Sequence, residues 1–199
     1  MALSNTAEAK VVYTPANITI LINSAQPIDI NGDGVTDATI DFYVGGKSFQ
    51  MVAVVPTGNG IRVNASSEAA AGFFGVPIGP GEKFAKSFAP MYYKIFGYGN
   101  SSSYAALGPW ANVGSRYLGV KLVIAGQTHY GWVRMTTGKN DIPVITGYAY
   151  ETTPNTSIKD GVISGATVRA AEPLEPTSLG LLAAGARGLS AWRHKSSGN

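Results

Sequence analysis

Short stretches in which apolar and polar residues alternate recur along this chain, each closed by a turn rich in Gly, Asn or Pro. The three-to-four-residue spacing of an amphipathic helix is scarce. Alternation with period two puts successive side chains on opposite faces of a strand, so the pattern predicts an all-β protein. Strands are expected over residues 10–14, 17–22, 38–44, 48–55 and 60–64, with Gly45-Gly46 making a tight hairpin between the third and fourth. Residues 65–112 are less regular and read as a long insertion, in which residues 66–74 form one short helix and residues 97–103 (GYGNSSS) a loop. The clearest pattern runs from Tyr117 to Glu151, where YLGVKLVI, THYGWVRM and PVITGYAYE are separated by Ala125-Gly126-Gln127 and by residues 137–141. That is a three-stranded meander. The expected fold is an antiparallel β-sandwich, jelly-roll or concanavalin-like, over residues 10–170.

Composition agrees with this reading. The 199 residues are 45% hydrophobic, enough for the core of one domain, and only 14% charged, with 25 Gly and 11 Pro. Coiled coils and charge-rich disorder are excluded. With no Cys there is no disulfide framework, thiolate nucleophile, cysteine zinc site or iron–sulfur cluster. The formal charge of +3 belongs to the end of the chain: of fifteen Lys and Arg, Arg187, Arg193 and Lys195 follow the last acid, Glu175, which leaves twelve bases against twelve acids upstream. A neutral body without a basic, aromatic-interleaved stripe predicts no nucleic-acid partner.

Catalytic constellations are also scarce. A Ser-His-Asp triad needs a positioned imidazole, and only His129 and His194 exist, the first inside a strand and the second in the terminal segment. No phosphate loop or metalloprotease helix is present. Glu68, Glu82, Asp141 and Glu151 are the acids open to glycosidase chemistry, but no spacing selects a pair. The expectation is a non-catalytic protein.

Four of the six Asp lie between residues 29 and 41. Asp29, Asn31, Asp33 and Asp37 occupy positions 1, 3, 5 and 9 of a loop whose sixth position is Gly34 and whose seventh, Val35, offers a carbonyl. A hard cation such as Ca2+ takes six to eight oxygens at about 2.3–2.6 Å, and alternate positions of a curled loop can supply them. Position 12, the bidentate Glu of an EF-hand, is Ile40, so this is no EF-hand, and Asp41 lies about 13 Å beyond Asp37 along an extended strand. The alternative is a turn held by Asx hydrogen bonds alone. The spacing DxNxDGxxD followed by a strand resembles the calcium-binding β-hairpin loops of FG-GAP repeats, which implies a Ca2+ site but not a propeller, since no longer unit recurs.

After Ala170 the chain reads Glu172-Pro173-Leu174-Glu175-Pro176, then an apolar run over residues 179–192, then Arg193-His194-Lys195. This order resembles the PEP-CTERM sorting signal of Gram-negative bacteria, with Pro173, Glu175, Pro176 and Arg193 as its motif residues. The YGWVR and ITGYAYET segments upstream are similar to elements in the bodies of such proteins. The resemblance implies export, an exosortase-type sorting protease as partner, and a bacterial surface or extracellular-matrix location. The motif here is interrupted by Leu174 and the apolar run by Arg187; a cation near the centre of a span costs about 3 kcal/mol, so membrane contact is transient at most. The other reading of residues 171–199 is a short C-terminal helix docking through Leu179, Leu182 and Leu189. Residues 1–9 read either as the remnant of a signal peptide ending at Ala7-Glu8-Ala9 or as an ordinary polar start.

The leading functional expectation is an exported calcium-binding structural protein of a cell surface or biofilm-like matrix. Two other classes stay open. One is a lectin-like carbohydrate-binding module, with Tyr117, Tyr130, Trp132 and Tyr148 as the aromatics that would meet polysaccharide, although strand aromatics usually pack on their own sheet. The other is a homo-oligomeric filament or matrix subunit that pairs by its edge strands.

Overall fold

A computed structural model describes residues 10–45, 48–95, 105–137 and 142–169. Among these residues the chain is all β. Its strands, in order, are β1 (Val11–Thr19), β2 (Ser24–Ile28), β3 (Ala38–Gly45), β4 (Ser48–Val54), β5 (Gly60–Arg62), β6 (Ala71–Gly72), β7 (Pro77–Ile78), β8 (Phe84–Ala85), β9 (Phe88–Ile95), β10 (Ala105–Leu107), β11 (Ser115–Ile124), β12 (Gln127–Thr137), β13 (Pro143–Glu151), β14 (Ile158–Lys159) and β15 (Thr167–Val168). A large sheet has the order β15-β1-β13-β12-β11-β5-β8, with β6 also on β11; a second has the order β10-β9-β4-β3-β2; β14 and β7 form a small ribbon. Pairing is antiparallel apart from β15 beside β1.

The expected meander is β11-β12-β13. Ile124 pairs with Gln127 across Ala125 and Gly126, both at positive φ (50° and 78°), the signature of a two-residue type I′ turn. In the β3–β4 hairpin Gly45 pairs with Ser48, leaving two residues for the connection, Gly46 and Lys47, both of which lie outside the described residues.

Elsewhere the structure corrects the sequence pattern. Residues 10–14 and 17–22 are not separate strands: β1 runs through Pro15, and its pairing with β13 slips between Pro15 and Ile18, a bulge that takes up the missing proline N–H. The turn follows later, at Asn23 (φ 60°). β2 was hidden by Pro27, which this strand tolerates because it is the last in its sheet. Residues 66–74 form no helix. Asn64 holds Glu68 through both its side-chain amide and its backbone, Ser67 turns the chain at φ 63°, and Ala69 to Gly72 then pair onto neighbouring strands. β9 escaped notice because a slip opposite Met51 and Val52 puts Met91 and Tyr92 both inside, breaking the alternation. Residues 97–103, Asp141, residues 1–9 and the expected tail helix lie outside the described residues.

The two large sheets face one another across one apolar core. Ile40, Phe42, Met51, Ala53 and Met91 from the smaller sheet meet Ile61, Leu118, Val120, Leu122, Val133, Met135 and Ile145 from the larger. Trp110 is fully buried in it and donates its indole N–H to Ala69 O at 3.0 Å. The far face of the large sheet is covered too. There Tyr117, Tyr130, Trp132 and Ala149 pack with Ile78 and Ile158 of the ribbon, so the central strands are apolar on both sides.

Within this second layer Arg62 donates to Asp160 at 2.6 Å, with side chains 3% and 0% exposed. Gly72 and Gly119 make room for the pair: a Cβ on Gly72 would overlap both partners, and one on Gly119 would stand 2.9 Å from Arg62 Nε. Burial pushes the Asp160 carboxyl up to about 6, against the pull of Arg62 and with a smaller push from Glu82. A folded-state value above the unfolded one means that the native chain holds this proton more tightly. The contribution to stability is therefore full below about pH 4 and is lost as pH rises through about 6. Replacing either partner by Ala strands a buried polar or charged group and is expected to cost about 3–5 kcal/mol. Arg62→Met with Asp160→Leu should cost less than the sum of the two single losses in a denaturation cycle, and should lack this part of the pH dependence.

Candidate metal site

The acidic loop spans residues 29–37, between β2 and β3, and is closed at its base by Asp37 N–H donating to Ile28 O at 2.9 Å. Its aspartates fold it. Asp29 Oδ1 accepts from the N–H groups of Gly32 (2.6 Å) and Asp33 (3.3 Å), and Oδ2 accepts from Gly34 (2.8 Å). Asn31 Oδ1 accepts from Asp33 N–H at 2.9 Å, while its amide donates to Asp33 Oδ2 at 3.0 Å; Asp33 Oδ1 accepts from Val35 N–H at 2.8 Å. Gly32 and Gly34, at φ 77° and 84°, supply the left-handed turns that this curl requires.

Asp37 differs from the others in being only 5% exposed. Its Oδ2 accepts from Ile30 N–H at 2.8 Å and Asn31 N–H at 3.2 Å. Burial pushes its carboxyl above the ordinary range; these two N–H groups pull it back, and Asp29 and Asp33 add to the rise. Asn59, also 5% exposed, donates to Asp37 O at 3.1 Å and accepts from Val123 N–H at 2.8 Å, tying the loop to β11 of the opposite sheet. Sequence reasoning missed Asn59, and no local signal marks it.

The donor chemistry suits a hard cation, being all oxygen: the side chains of Asp29, Asn31, Asp33 and Asp37 with the Val35 carbonyl. As folded, those oxygens serve the loop's own N–H groups, and among the described residues no three acidic or imidazole side chains stand together as a metal-holding group. A cation of the chain itself lies against the loop. The Arg169 guanidinium covers Gly32, where a Cβ would overlap it, and donates to Asp29 O at 3.4 Å, while Arg169 N–H donates to Tyr13 O at 2.7 Å. Family models, curated proteins and solved structures offer no match to this chain.

The other candidate residues are placed as follows. Tyr117 (8% exposed), Tyr130 (4%) and Trp132 (1%) lie together beneath the ribbon, with Tyr117 edge-on to Trp132 at 5.4 Å between ring centroids. Tyr148 is half-buried on the opposite face, against the inter-sheet core. These four therefore share no open face. His129 is buried and its Nδ1 is hydrogen-bonded with Glu151 O at 2.9 Å; Glu151 itself accepts from Lys10 and Thr153 N–H. Pro173, Glu175, Pro176 and Arg193 lie outside the described residues.

Asn59→Ala leaves the Val123 N–H and the Asp37 carbonyl without their partner and is expected to cost about 1–3 kcal/mol by chemical denaturation. Asn59→Asp should cost more at neutral pH than at pH 4, because it sets a second carboxylate beside Asp37.

Proposed function

We propose that this chain is an exported, non-catalytic, calcium-binding structural protein of the bacterial cell surface or extracellular matrix. The observation that carries the reading is the DxNxDGxxD loop: Asp29, Asn31, Asp33, the Val35 carbonyl and Asp37 lie on one curled turn, pinned at its buried end by Asp37 and Asn59. Three carboxylates in so short a loop repel one another, a repulsion that the loop's own N–H donors and Arg169 offset in part and that a bound cation would offset further. Calcium binding exchanges the mutual hydrogen bond of Asn31 and Asp33 for bonds to the ion and competes with the Arg169 guanidinium for the loop. Export and processing rest on the tail, where Pro173, Glu175, Pro176 and Arg193 supply the features that an exosortase-type protease would read.

Ca2+ that binds the native loop and not the unfolded chain is expected to raise the melting temperature, with about 2.7 kcal/mol gained at a free concentration one hundred times Kd. Asp33→Ala should remove most of that gain. A melting curve that EDTA and Ca2+ leave unmoved refutes the calcium assignment. Deletion of residues 171–199 should leave the melting temperature unchanged if they are an address; a helix docked through three leucines would instead forfeit several kcal/mol, at about 1.5–3 per buried side chain.

A further inference from the structure

The turn between β6 and β7 carries Phe73 and Phe74 side by side, 63% and 70% exposed, followed by Val76 at 37%. Turns are ordinarily built of small and polar residues, so two neighbouring phenylalanines in water need an explanation. The turn is also firmly held. Val76 N–H donates to Phe73 O at 3.2 Å, Gly75 N–H donates to Asp160 O at 2.8 Å, and Asp160 N–H donates to Val76 O at 2.8 Å. Asp160 is in turn fixed by the buried ion pair with Arg62. The rings thus project from a rigid base.

One cation stands on one of the rings, and a second lies on the strand paired with the end of the turn. The Arg116 guanidinium stands 4.3 Å from the centroid of the Phe73 ring, and Lys159, exposed at the foot of the turn, pairs with Pro77. Of the nearby acids, Asp160 is buried and bound to Arg62, leaving Glu82 as the other acid that acts on Asp160.

We propose that this turn is a membrane-docking tip, which sets Phe73 and Phe74 into the interfacial layer of a bilayer carrying anionic lipid while Arg116 and Lys159 meet the headgroups. An aromatic tip with Arg116 on one ring and Lys159 on the adjoining strand matches the two attractions of such a surface, apolar burial and charge. A tip whose backbone is already fixed by hydrogen bonds spends little backbone ordering entropy on docking. A second copy of the chain joined symmetrically through this turn would bring Arg116 and Lys159 against their own likeness.

The chain has no Cys, so Val76→Cys takes a single environment-sensitive fluorophore on the full-length protein with both phenylalanines intact. The local probe matters because the apolar run over residues 179–192 could itself hold the chain on vesicles. The label is expected to shift to the blue on mixed phosphatidylcholine–phosphatidylglycerol vesicles and much less on phosphatidylcholine alone. In the Phe73→Ala/Phe74→Ala background the shift should vanish and the lipid concentration for half-binding by the tip should rise about tenfold or more. Arg116→Gln should weaken the shift and its salt dependence. All three side chains lie at the surface, and unchanged melting temperatures establish that the fold is kept. A label that stays in water on anionic vesicles to which the chain is bound overturns the proposal. So does a blue shift without lipid that grows with protein concentration and disappears in the double variant, since it would assign the tip to self-association.

Discussion

A sheet that is covered on both faces has no side left for water, and this constraint organises the protein. At their middles β11, β12 and β13 send one set of side chains into the inter-sheet core and Tyr117, Tyr130, Trp132 and Ala149 under the β7–β14 ribbon, so a polar group buried on either face there needs a partner inside the protein. Arg62 and Asp160 are the charged instance. Arg62 reaches from β5 over Gly119, meets Asp160 just beyond β14, and thereby joins the ribbon to the sheet that it covers. The two glycines beside the pair are needed for space. Asp160, through its backbone, also fixes the turn that carries Phe73 and Phe74, so surface shape at that turn depends on a residue held by a buried electrostatic contact.

A second joint lies at the acidic loop. Asp37 takes backbone N–H groups on one side and Asn59 on the other, and Asn59 continues to Val123 in the opposite sheet. The loop is therefore built into the sandwich at its buried end and open at Asp29, Asn31 and Asp33. Anything that tightens or loosens the open end acts on a residue shared by both sheets, which is why global stability is an informative readout of ion binding here.

How much of this was legible follows from what each signal depends on. The meander was plain because long alternating strands joined by short turns state their own pairing, and the acidic loop was plain because its spacing is local. β2 and β9 were hidden, one by Pro27 and the other by a bulge that turns Met91 and Tyr92 to the same side. The short helix expected over residues 66–74 lost to long-range pairing, with Ala69 to Gly72 recruited by strands distant in sequence. Tyr117, Tyr130 and Trp132 invited a binding-surface reading only while the ribbon was unknown, and that ribbon consists of two-residue strands without a periodic signature. The nearly unbroken burial of β12 carried a hint, since its sequence, YGWVRM, alternates poorly for a strand with one wet face. Asn59 and Arg169 had no such hint, because both act on a loop far away in the chain.

The short β15 acquires a different significance beside β1. Thr167 and Val168 cover part of the outer side of a nine-residue strand, and the Arg169 N–H adds a further tie to Tyr13. A cut after Arg169 keeps that cover with the body. A cut before Thr167 strips it and leaves the backbone of β1 as a template on which another chain can add a strand. β15 thus guards the Val12–Tyr13 end of an edge strand, and its loss would lengthen the backbone that β1 offers to a neighbour.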